Sequence, residues 1–600
     1  SVGSEPHNSS LIIKLMKNNS SREIKSCKVS VRSTSSHKIN INTKHVIEAY
    51  QSHNLDSRNT ITITELNDKR RVNIDFNGLG DDMYLVITAY KGQLQLEPNT
   101  EAYKLWKDIP LPIYQKFYFF NVTNGADIER LGSKPVLVEM GPYVYRSKWT
   151  KTHLVYHDNG TVSYREKKTY HFVPQMSAGS DADVITSLNG PLAVTLSLLQ
   201  NAPTAVRIVV GLALDAVTEG FFIKRSVKQL LFEGYPDVLT TFGPMLNPKI
   251  PSNNNGRFGW LYNRNDTDEG MFTVHTGRDG MDQLNLIDNY KGQSHLDHWR
   301  NNSLCNSLAD TTNAQMFPPI GDTSKSLYLF HPDFCRRWKL NFKTEHVKKG
   351  VTVYRYVPDD SLFKNADDYP PNACYVSRLP AAPNPSILGI GRSQTNFSKQ
   401  RKIRFVSGVF DMSACKYGAP VLMSYPHFLN GDPIYTRGVS GLKPDPRKHS
   451  FYLDVEPHTG TSMGSAGRIQ INVFINKPPG LFRYRNVPEI VFPVFWQELG
   501  VNVSADMSQR IQWVLKQPTL ISSISSTSML FIGFVLVLTS LLFPFYNNYL
   551  KHTAKKESGS VVYTDKSTAN SQVDINKIMT TDPNAPPLEN GIDNKALDAN

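Results

Sequence analysis

Cysteine is scarce in this chain, five in 600 residues, which excludes a small scaffold held together by many disulfides. Long uncharged apolar runs are scarcer still. One near the C-terminus, with a mean hydropathy of -0.36 for the whole chain, excludes a polytopic membrane protein and leaves room for a single span. Acidic residues fall short of basic ones, 53 Asp and Glu against 66 Lys and Arg. The surplus of 13 positive charges points toward an acidic partner: nucleic acid, an anionic membrane or an anionic ligand. No phosphate-cradling P-loop is present, and Gly389-Ile390-Gly391 is too short for a dinucleotide fingerprint. Against these shortages, 40% hydrophobic and 20% charged residues supply a large core and exclude wholesale disorder.

The apolar run is Met529 to Phe545, and the Ser/Ile stretch from Ile521 extends it to the roughly 20 residues a helix needs to cross a bilayer. A transmembrane helix is expected over 521–548. Lys551, Lys555 and Lys556 follow and mark the cytosolic end. The tail, 549–600, is polar, carries Tyr563 as its aromatic residue from Lys551 onward and is expected to be disordered and cytosolic. Everything upstream then faces the exoplasmic or lumenal side. Sequons at Asn121, Asn159, Asn265, Asn301, Asn396 and Asn502, with more at Asn8, Asn18 and Asn19, agree with a glycosylated ectodomain. Cys305, Cys335, Cys374 and Cys415 fall in one stretch, an even number that can form two bridges in an oxidising compartment, with Cys27 left over.

Residues 1–80 are dense in Ser, Asn, Lys and Arg without a sustained period, and are expected to be disordered or atypical. The start at Ser1, with no signal peptide and no apolar run nearby, is what a fragment or an odd gene model would show. From 81 to 520 the chain reads as one mainly β ectodomain. Asp158-Asn159-Gly160 predicts a hairpin between His153–His157 and the strand from Val162. Thr352–Val357 and Arg468–Asn476 read as strands, the second as half-buried because Ile469, Ile471, Val473 and Ile475 alternate with Gln470 and Asn472. One helical insertion, Pro191 to Glu219, has a proline at the expected first turn of each of two helices. On the second, Thr204, Arg207, Gly211, Asp215 and Thr218 form a narrow polar or small stripe, and apolar residues fill the rest. That helix is either buried in a small bundle or offers a docking face to a membrane or partner.

Candidate chemistry is thin. Gly460-Thr461-Ser462-Met463-Gly464 matches the nucleophile elbow of α/β-hydrolases, but the first histidine after Ser462 is His552, beyond the membrane run. His295, His298, Cys305, His331 and Cys335 suggest zinc by residue type, yet their spacing fits no standard site and the thiols suit disulfides better. No catalytic, cofactor or metal residue is assigned, and the reading is not an enzyme. Nucleic acid is not an expected partner, because the basic segments lie beside sequons or on the membrane flank.

Several strings resemble the scavenger receptor class B family: Trp106–Asn124 (WKDIPLPIYQKFYFFNVTN), Lys134–Tyr145 (KPVLVEMGPYVY), Gly234-Tyr235-Pro236-Asp237, Phe317-Pro318-Pro319, Asp333–Arg336 (DFCR), Gly418–Leu429 (GAPVLMSYPHFL), Gly441-Leu442-Lys443-Pro444 and Asp454–Gly460 (DVEPHTG). They run in the family's order from Leu96 to Pro518. The resemblance implies an antiparallel β-barrel-like ectodomain with a helical bundle at its apex and a lipid-conducting tunnel toward the membrane. Pro191–Glu219 would be the apex, with Val206, Arg207, Val210 and Leu214 docking lipids, lipid-carrying particles or a protein ligand. It implies disulfides Cys305–Cys374 and Cys335–Cys415. The expected function is a membrane receptor for hydrophobic ligands, or alternatively a protein-binding adhesion, pattern-recognition or lysosomal sorting receptor, at the plasma membrane or the lysosomal or endosomal membrane. Two departures stand out. Family members span the membrane twice, whereas upstream of Leu96 the apolar stretch Tyr84–Tyr90 is too short to cross, so a first span is expected to be missing or replaced. The apex offers mainly Arg207 where mammalian lipid scavengers carry a basic cluster.

Overall fold

The computed structural model describes strands at 30–32, 38–40, 60–64 and 71–75, and residues 94–557 apart from 110–111, 242–254, 300–303, 376, 378, 380–404 and 479. Asn301, Asn396 and Cys27 lie outside the described residues, as do the first three sequons and the tail beyond 557. Within 1–80, expected to be disordered or atypical, β1 (Ser30–Arg32), β2 (Lys38–Asn40), β3 (Thr60–Thr64) and β4 (Arg71–Asp75) pair as an antiparallel sheet in the order β2-β1-β4-β3. Alternating β-branched residues such as those of TITIT in β3 supply the propensity that composition alone concealed.

The remaining strands are β5 (Ile113–Val122), β6 (Leu137–Tyr156), β7 (Thr161–Phe172), β8 (Val184–Leu188), β9 (Phe222–Ser226), β10 (Tyr235–Pro236), β11 (Arg257–Phe258), β12 (Thr267–His275), β13 (Ile287–Tyr290), β14 (Thr311–Thr312), β15 (Leu327–Phe330), β16 (Arg337–Lys348), β17 (Val351–Pro358), β18 (Phe410–Asp411), β19 (Val421–Ser424), β20 (Tyr452–Val455), β21 (Ser462–Phe474) and β22 (Val491–Asn502). A 14-stranded sheet runs β13-β12-β7-β6-β5-β22-β21-β20-β17-β16-β15-β14, with β19 and β18 added beside β21. Apart from the parallel β14–β15 pair, its ladders are antiparallel. The sheet curls until its ends approach: Tyr290 of β13 and Phe330 of β15 meet edge to face, ring centroids 5.4 Å apart. The result is a nearly closed, barrel-like sheet, and the fold is mainly β as expected.

The predicted hairpin is the β6–β7 turn, where Gly160 takes φ +70°, a conformation glycine adopts without strain. The half-buried reading of 468–476 fails. Gln470 and Asn472 are as buried as Val473: β19 pairs along this edge of β21, and the loop after it reaches Gln470, whose Oε1 accepts from His427 N–H at 2.6 Å. Their amides are satisfied there: Gln470 donates to Asn472 at 2.7 Å, and Asn472 donates to Ser424 Oγ at 3.0 Å. Burial of a polar row is sustainable only with such partners.

Helices are α1 (Glu101–Lys107), α2 (Gly125–Leu131), α3 (Gly190–Leu198), α4 (Thr204–Val217), α5 (Pro433–Arg437), α6 (Pro446–His449) and α7 (Ala505–Glu557). Asn189 caps α3 by accepting from Leu192 N–H at 3.2 Å, with Pro191 in the first turn; Pro203 occupies the cap of α4 rather than its first turn. By contact density the chain divides into two units, Ser1–Ser525 and Ser526–Asn600. Within α7, Ser523–His552 is long and apolar enough to cross a membrane, overlapping the expected 521–548 and shifted a few residues toward the C-terminus.

Candidate functional site

Alternation along three neighbouring strands builds one wall of an interior cavity. Ile113 and Gln115 of β5, Gln497, Leu499 and Val501 of β22, and Ser465, Gly467 and Ile469 of β21 point to the same side. The register aligns them, since Ser465 faces Val501, which faces Ile113, and Gly467 faces Leu499, which faces Gln115. Trp106, Trp149, Met316, Leu329, Phe330 and Phe451 close the other sides around a cavity of about 210 Å3. Polar side chains on this wall are engaged with one another or with backbone: Gln115 Nε2 donates to Gln497 Oε1 at 2.8 Å, and Ser465 Oγ to the Leu499 carbonyl at 3.3 Å.

One part of the wall is charged, and it is closed on itself. Asp333 accepts from Arg264 at 2.9 Å and from Lys416 at 3.3 Å. Arg264 approaches Glu269 at 3.6 Å, and Glu269 holds Lys168 at 3.1 Å. Lys168 reaches Glu166 at 3.8 Å, which holds the buried Lys151 at 3.1 Å. Burial works against the charge of Lys168, but Glu269 and Glu166 outweigh it and hold the ammonium above its ordinary range. Burial likewise opposes ionisation of Glu166, and Lys151 and Lys168 reverse the balance. His331 is kept neutral chiefly by burial; its Nδ1 accepts from Asp333 N–H at 3.2 Å, leaving Nε2–H toward Glu269 at 3.4 Å. Glu269, His331 and Asp333 cluster like metal ligands, yet Lys168 and Arg264 already occupy the cation positions beside them.

Helices α3 and α4 separate what the sequence left open. The first, α3, is buried through Leu192, Ala193 and Leu196. In α4 the small and polar stripe does not mark the inner face: of its members only Gly211 is buried, Arg207 and Thr218 are half-buried, Thr204 and Asp215 are exposed, and the apolar Leu214 is buried beside Gly211. A Cβ on Gly211 would lie 2.4 Å from Leu481 Cδ2. The apolar majority faces out, with Val209 and Leu212 66% and 68% exposed and Val206, Ile208 and Val217 beside them. The docking set therefore splits. Val206 is exposed, Val210 and Arg207 are half-buried, and Leu214, 2% exposed, belongs to the core. Arg207 spends its guanidinium on Thr204 Oγ1 at 2.9 Å. The residues that replace Leu214 on the outer face are Val209 and Leu212, one turn apart, which an apolar count around the helix could not orient because nearly every position is apolar.

The other assigned residues sort cleanly. Cys305–Cys374 and Cys335–Cys415 are bridged, each with Cα atoms 6.1 Å apart, which removes both thiols from the zinc reading. Asn159 sits exposed in the hairpin turn and Asn265 in a surface loop, while Asn121 is half-buried and accepts from Thr186 N–H at 2.8 Å. Asn502 ends β22. Ser462 begins a strand, not a helix, and its hydroxyl donates to the Ala314 carbonyl at 2.6 Å, so the elbow geometry is not formed.

The CD36 family model matches residues 82–543. The chain is 32% identical over 430 residues to scavenger receptor class B member 1 of Mus musculus, covering 70% of this chain and 78% of that protein. It is 30% identical over 434 residues to lysosome membrane protein 2 of Homo sapiens, covering 72% and 84%. The curled sheet and the two bridges fall inside the matched span, which ends within the long apolar C-terminal helix, and the chain belongs to the CD36 family.

Proposed function

We propose that the chain is a non-enzymatic membrane receptor that gathers hydrophobic or lipid ligands at the outer face of α4 and transfers them through the barrel interior to the bilayer. The cavity carries this reading: its wall is apolar apart from groups already paired with one another, so an occupant gains by burying hydrocarbon and finds no free charge to bind. At roughly 0.8 kcal/mol per methylene, chain length should govern affinity more than the headgroup. The ectodomain, 81–520, would stand outside the cytosol, at the plasma membrane or in a lysosomal membrane, with glycans on Asn121, Asn159, Asn265, Asn301, Asn396 and Asn502.

Ser465→Trp places an indole in the cavity and tests the route. In cells displaying equal amounts of the two proteins, uptake of a fluorescent long-chain lipid should fall with Ser465→Trp to the level of cells lacking the receptor. Uptake unchanged by the substitution would exclude passage through the cavity. Uptake at control level in both, with a protein retained on the α4 face after delipidation, would favour the protein-binding reading.

A further inference from the structure

Glu139 of β6, His427 and His449 meet away from the cavity, under the segment 441–449. Both histidines are 4% exposed. Their rings stack at 4.4 Å with 18° between planes, and His449 meets Trp496 edge-on at 5.4 Å. His427 Nε2 lies 2.6 Å from Glu139 Oε2, to which Trp496 Nε1–H also donates at 2.7 Å. Each Nδ1 is occupied from the other side: Lys443 N–H donates to His427 Nδ1 at 3.0 Å and Asp445 N–H to His449 Nδ1 at 2.9 Å.

Two imidazoles and a carboxylate are a familiar metal-binding set, but the proton positions oppose it. A metal-bound histidine donates its second ring N–H to an acceptor. Here that second nitrogen receives a backbone N–H, which can only donate, so each neutral ring carries its proton on Nε2, where a metal would have to bind. The same constraint makes His449 sensitive to acid. Proton uptake on its ring must occur at Nδ1, and there it sets one N–H against another.

We propose that Glu139, His427 and His449 form an acid-released latch, in which the two imidazoles hold segment 441–449 through Nδ1 and protonation of His449 lets it go. The release is local. On one side Ser440 is tied to Val136 and Leu137, and on the other the Ser450 carbonyl accepts from Arg468 at 2.9 Å. The charged surroundings decide the direction. Glu139 and Asp445 favour a proton on His449, whereas burial, His427 and Arg468 oppose it, and opposition prevails, pushing His449 down to about 4. Arg468 is itself held by Glu498 at 2.6 Å, which also takes Lys116 at 2.7 Å. Tyr118, stacked on Trp496 at 3.8 Å, is pushed up to about 12 by burial and stays neutral. Lys443, Arg447 and Lys448 on the segment add positive charge. Burial opposes ionisation of Glu139, but its bonds from His427 and Trp496 win and hold it below the usual carboxylate range. A base held below its free value of about 6.5 favours the closed segment above that pH and loses the preference as pH falls toward 4. Between about pH 7.4 and 5, this histidine alone should favour opening roughly 25-fold.

The test is amide hydrogen exchange of the peptide containing Lys443 and Asp445, in the full chain in detergent, at neutral and acid pH, corrected for intrinsic rates. Asparagine presents an acceptor where Nδ1 was and does not titrate. Wild type should open at least tenfold more at about pH 5, and the double variant His427→Asn/His449→Asn should not. An equal acid response in the double variant, or none in wild type, would overturn the latch. So would added zinc slowing exchange at neutral pH, which would restore the metal reading. Should the variant not fold, histidine C2-hydrogen exchange of wild type decides: a His449 value at or above about 6.5 overturns the proposal.

Discussion

A lysine without access to water has to find its partners inside the protein, and Lys151 finds three. Its Nζ donates to the Trp106 carbonyl at 2.8 Å, to Glu166 at 3.1 Å and to Gln315 Oε1 at 2.6 Å, beneath the faces of Trp106 and Tyr164. Lys151→Met would leave Glu166 buried with Lys168 at 3.8 Å as its nearest cation. Uncompensated buried charge costs about 3 to 5 kcal/mol, so thermal unfolding in detergent should shift down by several degrees, and Glu166→Leu added to Lys151→Met should recover part of the loss. No recovery would mean that the pair is not coupled. None of this is legible in the sequence, where Arg165-Glu166-Lys167-Lys168 is a run of four charges with nothing to mark Glu166 and Lys168 as interior; those two are inside because the sheet curls round them. The cysteines were easier, because four in one stretch upstream of a membrane-crossing run carry their own chemical signal, and the pairing came from the resemblance.

At the scale of an element, α4 shows how composition can locate a helix and leave its orientation open. A helix apolar on most of its circumference packs by shape, and here Gly211 is the position that lets Leu481 approach. Gly211→Leu should therefore cost about 1 to 3 kcal/mol by overpacking, visible in the unfolding midpoint. The outer face should behave in the opposite way. Val209→Ser with Leu212→Ser removes side chains 66% and 68% exposed, so stability should change by less than about 0.5 kcal/mol per site. Retention of lipid vesicles should drop at least about tenfold, because the two side chains could bury more than about 1.4 kcal/mol of apolar surface on docking. Retention unchanged with the unfolding midpoint unchanged would remove the outer face from ligand capture. The strand β21 carries the complementary lesson: its alternation identified the strand, while the burial of Gln470 and Asn472 depends on β19, some fifty residues earlier, and no local pattern reports it.

For the whole molecule the decisive contacts are the ones farthest apart in sequence. Gln115 and Gln497 bond across 382 residues to close the cavity wall, and pairing over that distance leaves no periodic trace in either strand. Chain entropy opposes such closure, which gives the two disulfides their part. They join Cys305 to Cys374 and Cys335 to Cys415 across 69 and 80 residues, inside the core that holds Trp299, Trp338 and Phe410. Removing that much loop freedom from the unfolded chain is worth about 4 kcal/mol per bridge by chain entropy. The barrel therefore closes around a region whose own ends are already tied. Cys335→Ser with Cys415→Ser should lower stability by about 2 to 5 kcal/mol, read as a lower unfolding midpoint and faster proteolysis between β15 and β19, while the β5–β6–β7 side, which neither bridge enters, keeps its amide protection until global unfolding. Loss of protection in β5–β7 in step with the region around Cys335 would mean that the sheet unfolds as one cooperative unit and that the bridges stabilise all of it.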